Sequence, residues 1–293
     1  MRKKILIIGG TGFIGYNLAK ELKNYKFEIH SLSSKFPINI RKIAKVKYII
    51  SDLSNTSELK KKIKSNYEYV INLSGNINHK NKKETFKVHY KGLKNLANFF
   101  CKKNIKLFIQ IGSSLEYGKA KSPQKETIKC RPVSNYGKAK FLATKYLMLL
   151  IKKKNFPCVI LRPYQIYGPK QKLDRLIPST INFCKKNLIF KCTEGSQLRD
   201  FLHVDDFSNL IVKILKKEKN KFGIYNVGFG KPNKVRQVIN IIQKTIGKGH
   251  PLFGSIKMRK DEIKVLFPSI KKVSKEYNWK PNVRLKKGLL KII

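Results

Sequence analysis

The tightest constraint on this chain sits at its start, where Ile5-Leu6-Ile7-Ile8 is an apolar run of strand length that empties into Gly9-Gly10-Thr11-Gly12-Phe13-Ile14-Gly15. Four consecutive leucine or β-branched residues suit a strand buried on both faces. Gly9, Gly12 and Gly15 would then let the backbone turn tightly and approach a pyrophosphate at a helix N-terminus, where free N–H groups and the helix dipole attract anions. The spacing is G-x-x-G-x-x-G, and the leading strand gives it specificity that a glycine trio alone lacks. Thr11, Phe13 and Ile14, lying between the glycines, complete the expected phosphate-binding set. An ordinary strand-to-helix turn is the competing reading.

The 293 residues can form one large α/β domain or two that share an interface, and a hydrophobic content of 41% is that of a globular chain. The charged start resembles a short signal peptide, but its apolar run lasts only from Ile5 to Ile8, against roughly 7 to 15 residues in such a segment. No stretch approaches the ~18 apolar residues of a membrane span, so a soluble protein without membrane insertion is expected. Cys101, Cys130, Cys158, Cys184 and Cys192 are scattered and form no C-x-x-C pair, which points to reduced thiols in a cytoplasm, with no metal site expected.

The charge is extreme: 65 Lys+Arg against 17 Asp+Glu gives +48. Such a field attracts polyanions. The lysines are nevertheless spread along the whole chain, and no arginine-rich stretch with interleaved aromatics stands out, so no specific nucleic-acid partner is expected. A cofactor-sensing or RNA-binding protein is the alternative from another class, and it predicts salt-sensitive polynucleotide binding. Where acids are this scarce, the cluster Asp200, Asp205 and Asp206 draws notice.

Beyond the glycines, Tyr16 to Asn24 continues as a helix and Phe27 to Leu32 reads as a second strand ending in Ser33-Ser34-Lys35. In dinucleotide folds an acid at this strand end bonds the ribose 2′-hydroxyl, whereas hydroxyls and a cation accommodate a 2′-phosphate. Ser33, Ser34 and Lys35 therefore favour NADP, with NAD possible if Lys35 is merely one lysine among many. Val46 to Ile50 is a third strand running into Asp52-Leu53, where the acid can accept from an adenine amino group or cap the next helix. Tyr69 to Gly75 is a fourth strand, and Leu73, Ser74 and Gly75 leave room for close backbone approach to a cofactor. A long amphipathic helix over 84–101 and a fifth strand from Lys106 to Gly112 follow. Strict strand–helix alternation predicts a Rossmann-type doubly wound parallel sheet with ligands beyond the carboxyl ends of its strands. Residues 1–163 are expected to form the dinucleotide-binding domain. Residues 164–293 are expected to form mainly a smaller α/β substrate region, with some segments returning to the sheet.

Tyr136 and Lys140 lie at i and i+4 near the start of a helix predicted over 133–154, and so share one face. A phenol with a pKa near 10 works near neutrality only if a neighbouring cation stabilises its phenolate, and Lys140 is placed for that. Ser113, at the mouth of the fifth strand, could hold a substrate oxygen between itself and Tyr136. In this order, after the glycine loop, the three residues form a joint pattern that neither pair carries alone.

With these residues the chain resembles the extended short-chain dehydrogenase/reductase family of sugar-nucleotide epimerases, dehydratases and reductases. The resemblance implies a phosphate loop at Gly9, Gly12 and Gly15 and a catalytic triad of Ser113, Tyr136 and Lys140. It also implies a strand passing the nicotinamide at Leu161-Arg162-Pro163, with Pro163 against the cofactor, and a substrate side carrying Ser114, Gln165 and Arg199. Family dehydratases follow the active Ser/Thr with Asp-Glu; here Ser114-Leu115 stand in those places, which speaks against a 4,6-dehydratase. Gln165 replaces the usual Asn.

The C-terminal third, through Gln197 to Phe201, the stretch around Arg259 and the ending Trp279-Lys280-Pro281-Asn282, is similar to nucleotide-sugar 4-ketoreductases of the CDP-abequose synthase type. That similarity implies Arg199 and Arg259 as diphosphate contacts, the alternative being structural salt bridges. It implies an NADP-dependent reductase of a nucleotide-linked 4-keto-6-deoxyhexose, with a nucleotide-hexose 4-epimerase holding NAD as the runner-up. It also implies a homodimer packed through helices near 84–101 and 133–154. His203 reads as a packed strand-end histidine, His30, His89 and His250 have no partner that suggests a metal, and Trp279 reads as a core anchor.

Overall fold

The computed structural model describes residues 2–75, 81–259 and 262–293. Its centre is a seven-stranded sheet. The strands are β1 (Lys3–Ile8), β2 (Phe27–Ser33), β3 (Lys47–Ile50), β4 (Tyr69–Asn72), β5 (Leu107–Ile111), β6 (Cys158–Pro163) and, after short strands β7 (Gln165–Tyr167), β8 (Ile189–Lys191), β9 (Leu198–Arg199) and β10 (Phe201–His203), β11 (Gly223–Val227). The order β11-β6-β5-β4-β1-β2-β3 is parallel throughout, the doubly wound arrangement expected from the alternation. β11 lies beside β6 at the edge of the sheet.

The apolar run of β1 is continuous because both of its faces are covered. Ile5 and Ile7 join one core with Leu18 and Leu22 of helix α1 (Phe13–Leu22), while Leu6 and Ile8 join the opposite core with Leu96, Phe108 and Leu147. Trp279 is fully buried in the first core, as expected of an anchor. A third core sits under the C-terminal region around Ile177, Phe190, Phe201 and Val238.

Two element boundaries differ from the sequence reading in ways that matter for the site. β4 stops at Asn72, and Leu73, Ser74 and Gly75 leave it as irregular backbone because the Asn72 side chain accepts from the Ser74 N–H (3.1 Å) and hydroxyl (2.6 Å), bending the chain out of the ladder. The helix predicted over 84–101 is interrupted: α2 (Thr56–Lys62) is followed by α3 (Lys82–Phe86), a π-helical segment Lys87–Gly92 and α4 (Leu93–Phe100). Gly92 packs where a Cβ would press the Leu53 side chain at 3.2 Å, so the wide turn falls where the helix meets the loop after β3. Helix α5 (Asn135–Lys154) starts at its Ser134 cap, whose hydroxyl accepts from the Gly137 N–H at 3.0 Å. It buries Ala139, Lys140, Ala143 and Leu147 toward the sheet. Among the described residues no helix is long and apolar enough to cross a membrane.

Candidate active site

The glycine loop joins β1 to α1 with its backbone packed against itself. Gly12 caps α1 in an extended conformation, and no side chain caps the first turn, so the helix N-terminus faces outward. Gly9 has a φ of 76°, and a Cβ there would sit 3.0 Å from the Leu73 carbonyl; a Cβ on Gly15 would sit 2.5 Å from both the Gly10 Cα and the Gly9 oxygen. Gly10, which the G-x-x-G-x-x-G spacing passes over, is also required, because a Cβ would overlap the Ser31 hydroxyl. Leu73 and Ser74 thus line one wall, and Thr11, Phe13 and Ile14 lie partly buried along the loop. Bare backbone, small residues and an unmasked helix end fit a pyrophosphate.

At the adenosine side, Ser33 closes β2, and its hydroxyl accepts from the Thr11 N–H at 3.4 Å, which ties this strand end to the loop. Ser34 and Lys35 follow it exposed. Asp52, exposed after β3, turns its carboxylate to the Ser54 N–H and hydroxyl, both at 2.8 Å, and those bonds hold its pKa below the ordinary carboxylate value. The cap of α2 is Asn55, so the helix-capping alternative for Asp52 is corrected. Leu53 lies between Asp52 and Gly92, with its carbonyl accepting from Asn95 at 3.2 Å.

The topology brings Ser113, Tyr136 and Lys140 together. Ser113 follows β5 by two residues and caps a short 3-10 turn, Ser114 to Tyr117, with its hydroxyl accepting from the Leu115 N–H at 3.2 Å; Ser114 is buried beside it. The Ser113 hydroxyl faces the Tyr136 phenol closely enough to work against the rise of its pKa. Burial pushes that phenol up to about 12, with the Ser113 hydroxyl opposing and the Glu116 charge adding to the rise. Lys140, 3% exposed, donates to the Ile111 carbonyl at 2.7 Å and lies 5.9 Å from the centre of the Tyr136 ring. Burial brings its pKa down to about 8, with Glu116 opposing. In this conformation burial raises the phenol, where a lowering by Lys140 was expected. The same carbonyl accepts from Gln110 at 2.7 Å, and Gln110 accepts from Asn72 at 2.8 Å, so one polar chain links Ser74 beside the cradle to Lys140.

His89 also reaches this site: the π segment turns its buried ring edge-on to Tyr136, 4.9 Å between ring centres, and Gly75 packs where a Cβ would meet its Cε1 at 3.1 Å. Only its place on the buried face of an amphipathic helix hinted at this.

The substrate-side residues are less concentrated. Pro163 ends β6 partly buried, and Gln165 on β7 is exposed, with its backbone N–H donating to the Asp200 carbonyl at 3.1 Å. Arg199, 8% exposed, forms an ion pair with Glu262 and donates to the Leu198 carbonyl at 2.8 Å. Arg259 is exposed, and its carbonyl accepts from the Glu262 N–H at 3.1 Å, so Glu262 brings the Arg259 segment against Arg199. Arg199 is thus salt-bridged in this structure, with a glutamate rather than a neighbouring aspartate as partner. The aspartates instead clamp backbone: Asp200 accepts from Phe229 and Gly230 N–H at 2.6 Å each, and Asp206 from Asn282 (3.0 Å) and Val283 (2.9 Å). His203 caps helix α7, which spans Val204–Lys216 and follows α6 (Leu176–Lys185), and packs 5.2 Å from the Tyr167 ring.

Comparison with known proteins fits this geometry. The family model for the NAD dependent epimerase/dehydratase family matches residues 5–228. A putative UDP-glucose 4-epimerase of Methanocaldococcus jannaschii is 28% identical over 99% of this chain and 97% of its own length. A dTDP-4-dehydro-6-deoxyglucose reductase of Escherichia coli is 26% identical over 99% of this chain and 96% of its own. A CDP-abequose synthase of Salmonella typhimurium is 34% identical over 46% of this chain and 47% of its own. Among solved structures, UDP-glucose 4-epimerase of Thermotoga maritima superposes with a TM-score of 0.90 at 21% identity, covering 98% of this chain and 96% of that one.

Proposed function

The chain belongs to the NAD-dependent epimerase/dehydratase family, and on that premise we propose that it is an NADP-dependent reductase of a nucleotide-linked 4-keto-6-deoxyhexose. The observation that carries the reading is the gathering of Ser113, Tyr136 and a buried Lys140, its amine 5.9 Å from the centre of the Tyr136 ring, at the carboxyl end of the sheet beside the glycine loop. NADPH, when bound, supplies the hydride to C4 of the sugar. Tyr136 gives its proton to the C4 oxygen, and Ser113 hydrogen-bonds that same oxygen, so the ketone becomes a hydroxyl with no other bond broken. Lys140 supplies a cation below the phenol and a donor toward the nicotinamide ribose. Arg199 and Arg259 hold the diphosphate, which orients the sugar toward Tyr136. Arg199 would exchange Glu262 for the diphosphate on binding.

Two relatives support the reduction, the synthase at the higher identity and the 4-dehydro-sugar reductase at full length. A second reading, a nucleotide-hexose 4-epimerase with retained NAD, is favoured by the full-length match to a putative 4-epimerase. The two separate in one assay: NADPH oxidation over CDP-, dTDP-, GDP- and UDP-linked 4-keto-6-deoxyhexoses. Silence across the panel together with epimerisation of ordinary nucleotide hexoses sinks the reductase.

For the cofactor, Lys35→Asp is expected to raise the KM for NADPH by about 10-fold, the worth of one charge-assisted contact, with NADH little affected. An unchanged NADPH/NADH preference would assign the strand end to NAD. The reading further places the enzyme in a reducing cytoplasm, serving deoxysugar synthesis for surface polysaccharide. It also gives the enzyme a dimer interface along α5, where Leu142, Met148 and Leu149 are exposed.

A further inference from the structure

The geometry points to Glu116 and Arg162 as positioning residues that hold Ser113 in place and balance the charge beneath Tyr136 and Lys140. The inference rests on the reading of Tyr136 as proton donor. Glu116 is fully buried. One of its oxygens accepts from the Ser113 N–H at 2.8 Å, and the other accepts from Arg162 Nε at 3.0 Å and Nη2 at 2.7 Å. Three N–H groups on two oxygens are the surroundings of a carboxylate. The backbone of the serine whose hydroxyl meets Tyr136 is thus fastened to a buried charge, and that charge is fastened to β6.

The anchor extends further. The Arg162 guanidinium lies 4.6 Å over the Tyr117 ring, and the Tyr117 hydroxyl donates to Asn226 Oδ1 of β11 at 2.8 Å. Gly112 is needed because a Cβ there would come 2.6 Å from Glu116 Oε1 and 3.2 Å from Arg162 Cγ. A buried ion pair is weak evidence for stability, since an apolar pair of similar volume often serves as well or better. Attachment to the reacting serine gives this pair another use.

Its electrostatic effect reaches both other site residues, because the Glu116 charge favours the protonated forms of Tyr136 and Lys140. Burial raises the Glu116 carboxyl, and Arg162 opposes that rise; burial also works against the Arg162 charge, and Glu116 reverses this so that the guanidinium is held well above its usual value. Among the described residues, the other titratable or charged groups near these include His89 from the π segment, Arg175 at the cap of α6, and Tyr117, Cys130, Tyr164 and Glu126 around Arg162. Arg162 is the buried cation that Glu116 neutralises.

The test replaces charge while keeping shape. Glu116→Gln preserves an acceptor for the Ser113 N–H and leaves Arg162 uncompensated. Its expected result is a kcat about 10- to 100-fold lower with KM within about 3-fold of the parent, and an alkaline pH limb moved about 1 unit toward acid. The double variant Glu116→Gln/Arg162→Met removes both charges and should return the limb toward the parent position. Ultraviolet titration supplies a readout free of any substrate: the phenolate absorbance abolished by Tyr136→Phe should appear at lower pH in Glu116→Gln than in the parent. If Glu116→Gln does not fold, the double variant alone decides, with a parental limb and reduced kcat expected. A folded Glu116→Gln with parental kcat, limb and phenolate titration overturns the inference, as does a double variant with full parental kcat. Failure of the sugar panel with a shifted phenolate titration would instead refute the reductase reading and leave this one standing.

Discussion

Tyr136→Phe is expected to slow turnover by about 10²- to 10⁴-fold while leaving dinucleotide affinity within a few-fold of the parent. The substitution removes one oxygen from a ring whose place is set elsewhere: α5 carries it two residues past the Ser134 cap, and the His89 ring packs against it at 4.9 Å. The phenylalanine ring can keep that edge-on contact, so fold and cradle should survive. Only the proton source at the C4 oxygen is lost, with the Ser113 hydroxyl left in place. Because the phenol is held up to about 12, the parent keeps its proton through the neutral range, whereas Lys140, brought down to about 8, loses its charge as pH rises past that value. Reduction should therefore decline above about pH 8 through Lys140. Rates of single turnover with saturating NADPH, read alongside NADPH titration by fluorescence, check the prediction. Loss of both rate and nucleotide affinity would show that Tyr136 is structural.

Gly15→Ala should have the second large effect, a fall in dinucleotide affinity of at least about 100-fold with a stability cost of about 1–3 kcal/mol. The added methyl would lie 2.5 Å from the Gly9 oxygen and the Gly10 Cα. Neither can yield cheaply: the Gly9 N–H is bonded to the Leu32 carbonyl at 2.7 Å, and the Gly9 carbonyl accepts from the Gly12 N–H at 3.0 Å. Helix α1 must then move off the loop, which withdraws its N-terminus from the phosphate position. Gly12→Ala is the control, since its Cβ would meet only the Gly9 oxygen, at 3.2 Å, and a smaller loss is expected. Calorimetric titration with NADPH and NADH, with thermal melts of both variants, measures the two effects. Equal losses at the two positions would remove the loop geometry from the explanation.

What could be read in the chain beforehand follows from the range of the interactions involved. The strand of Ile5 to Ile8, the glycine loop and the Tyr136–Lys140 pair are local patterns, set by strand alternation, turn geometry and the i, i+4 spacing of a helix, and each occupies its expected place. Ser113 was legible because a strand must end somewhere, and a doubly wound sheet puts such ends together. The remainder depends on partners far along the chain. Glu116 meets Arg162 across 46 residues and Arg199 meets Glu262 across 63, distances at which residue spacing carries no pairing information. In a sequence with 65 basic residues, no single arginine announces its carboxylate. The π segment is hidden for another reason: each side of a wide turn keeps its own amphipathic pattern, and the turn rotates residues such as His89 to a face that regular helical spacing does not assign, here toward Tyr136.

The central claim, reduction at C4 by a cofactor that is consumed, is tested most directly by single turnover with NADPH deuterated at the transferred position and a nucleotide-linked 4-keto-6-deoxyhexose, followed by mass spectrometry and NMR of the sugar. The account predicts one equivalent of NADP⁺ per sugar, deuterium at C4 and one C4 configuration in the product. Sugar interconverted at C4 with no deuterium incorporated, no NADPH consumed and NAD retained on the protein would contradict it.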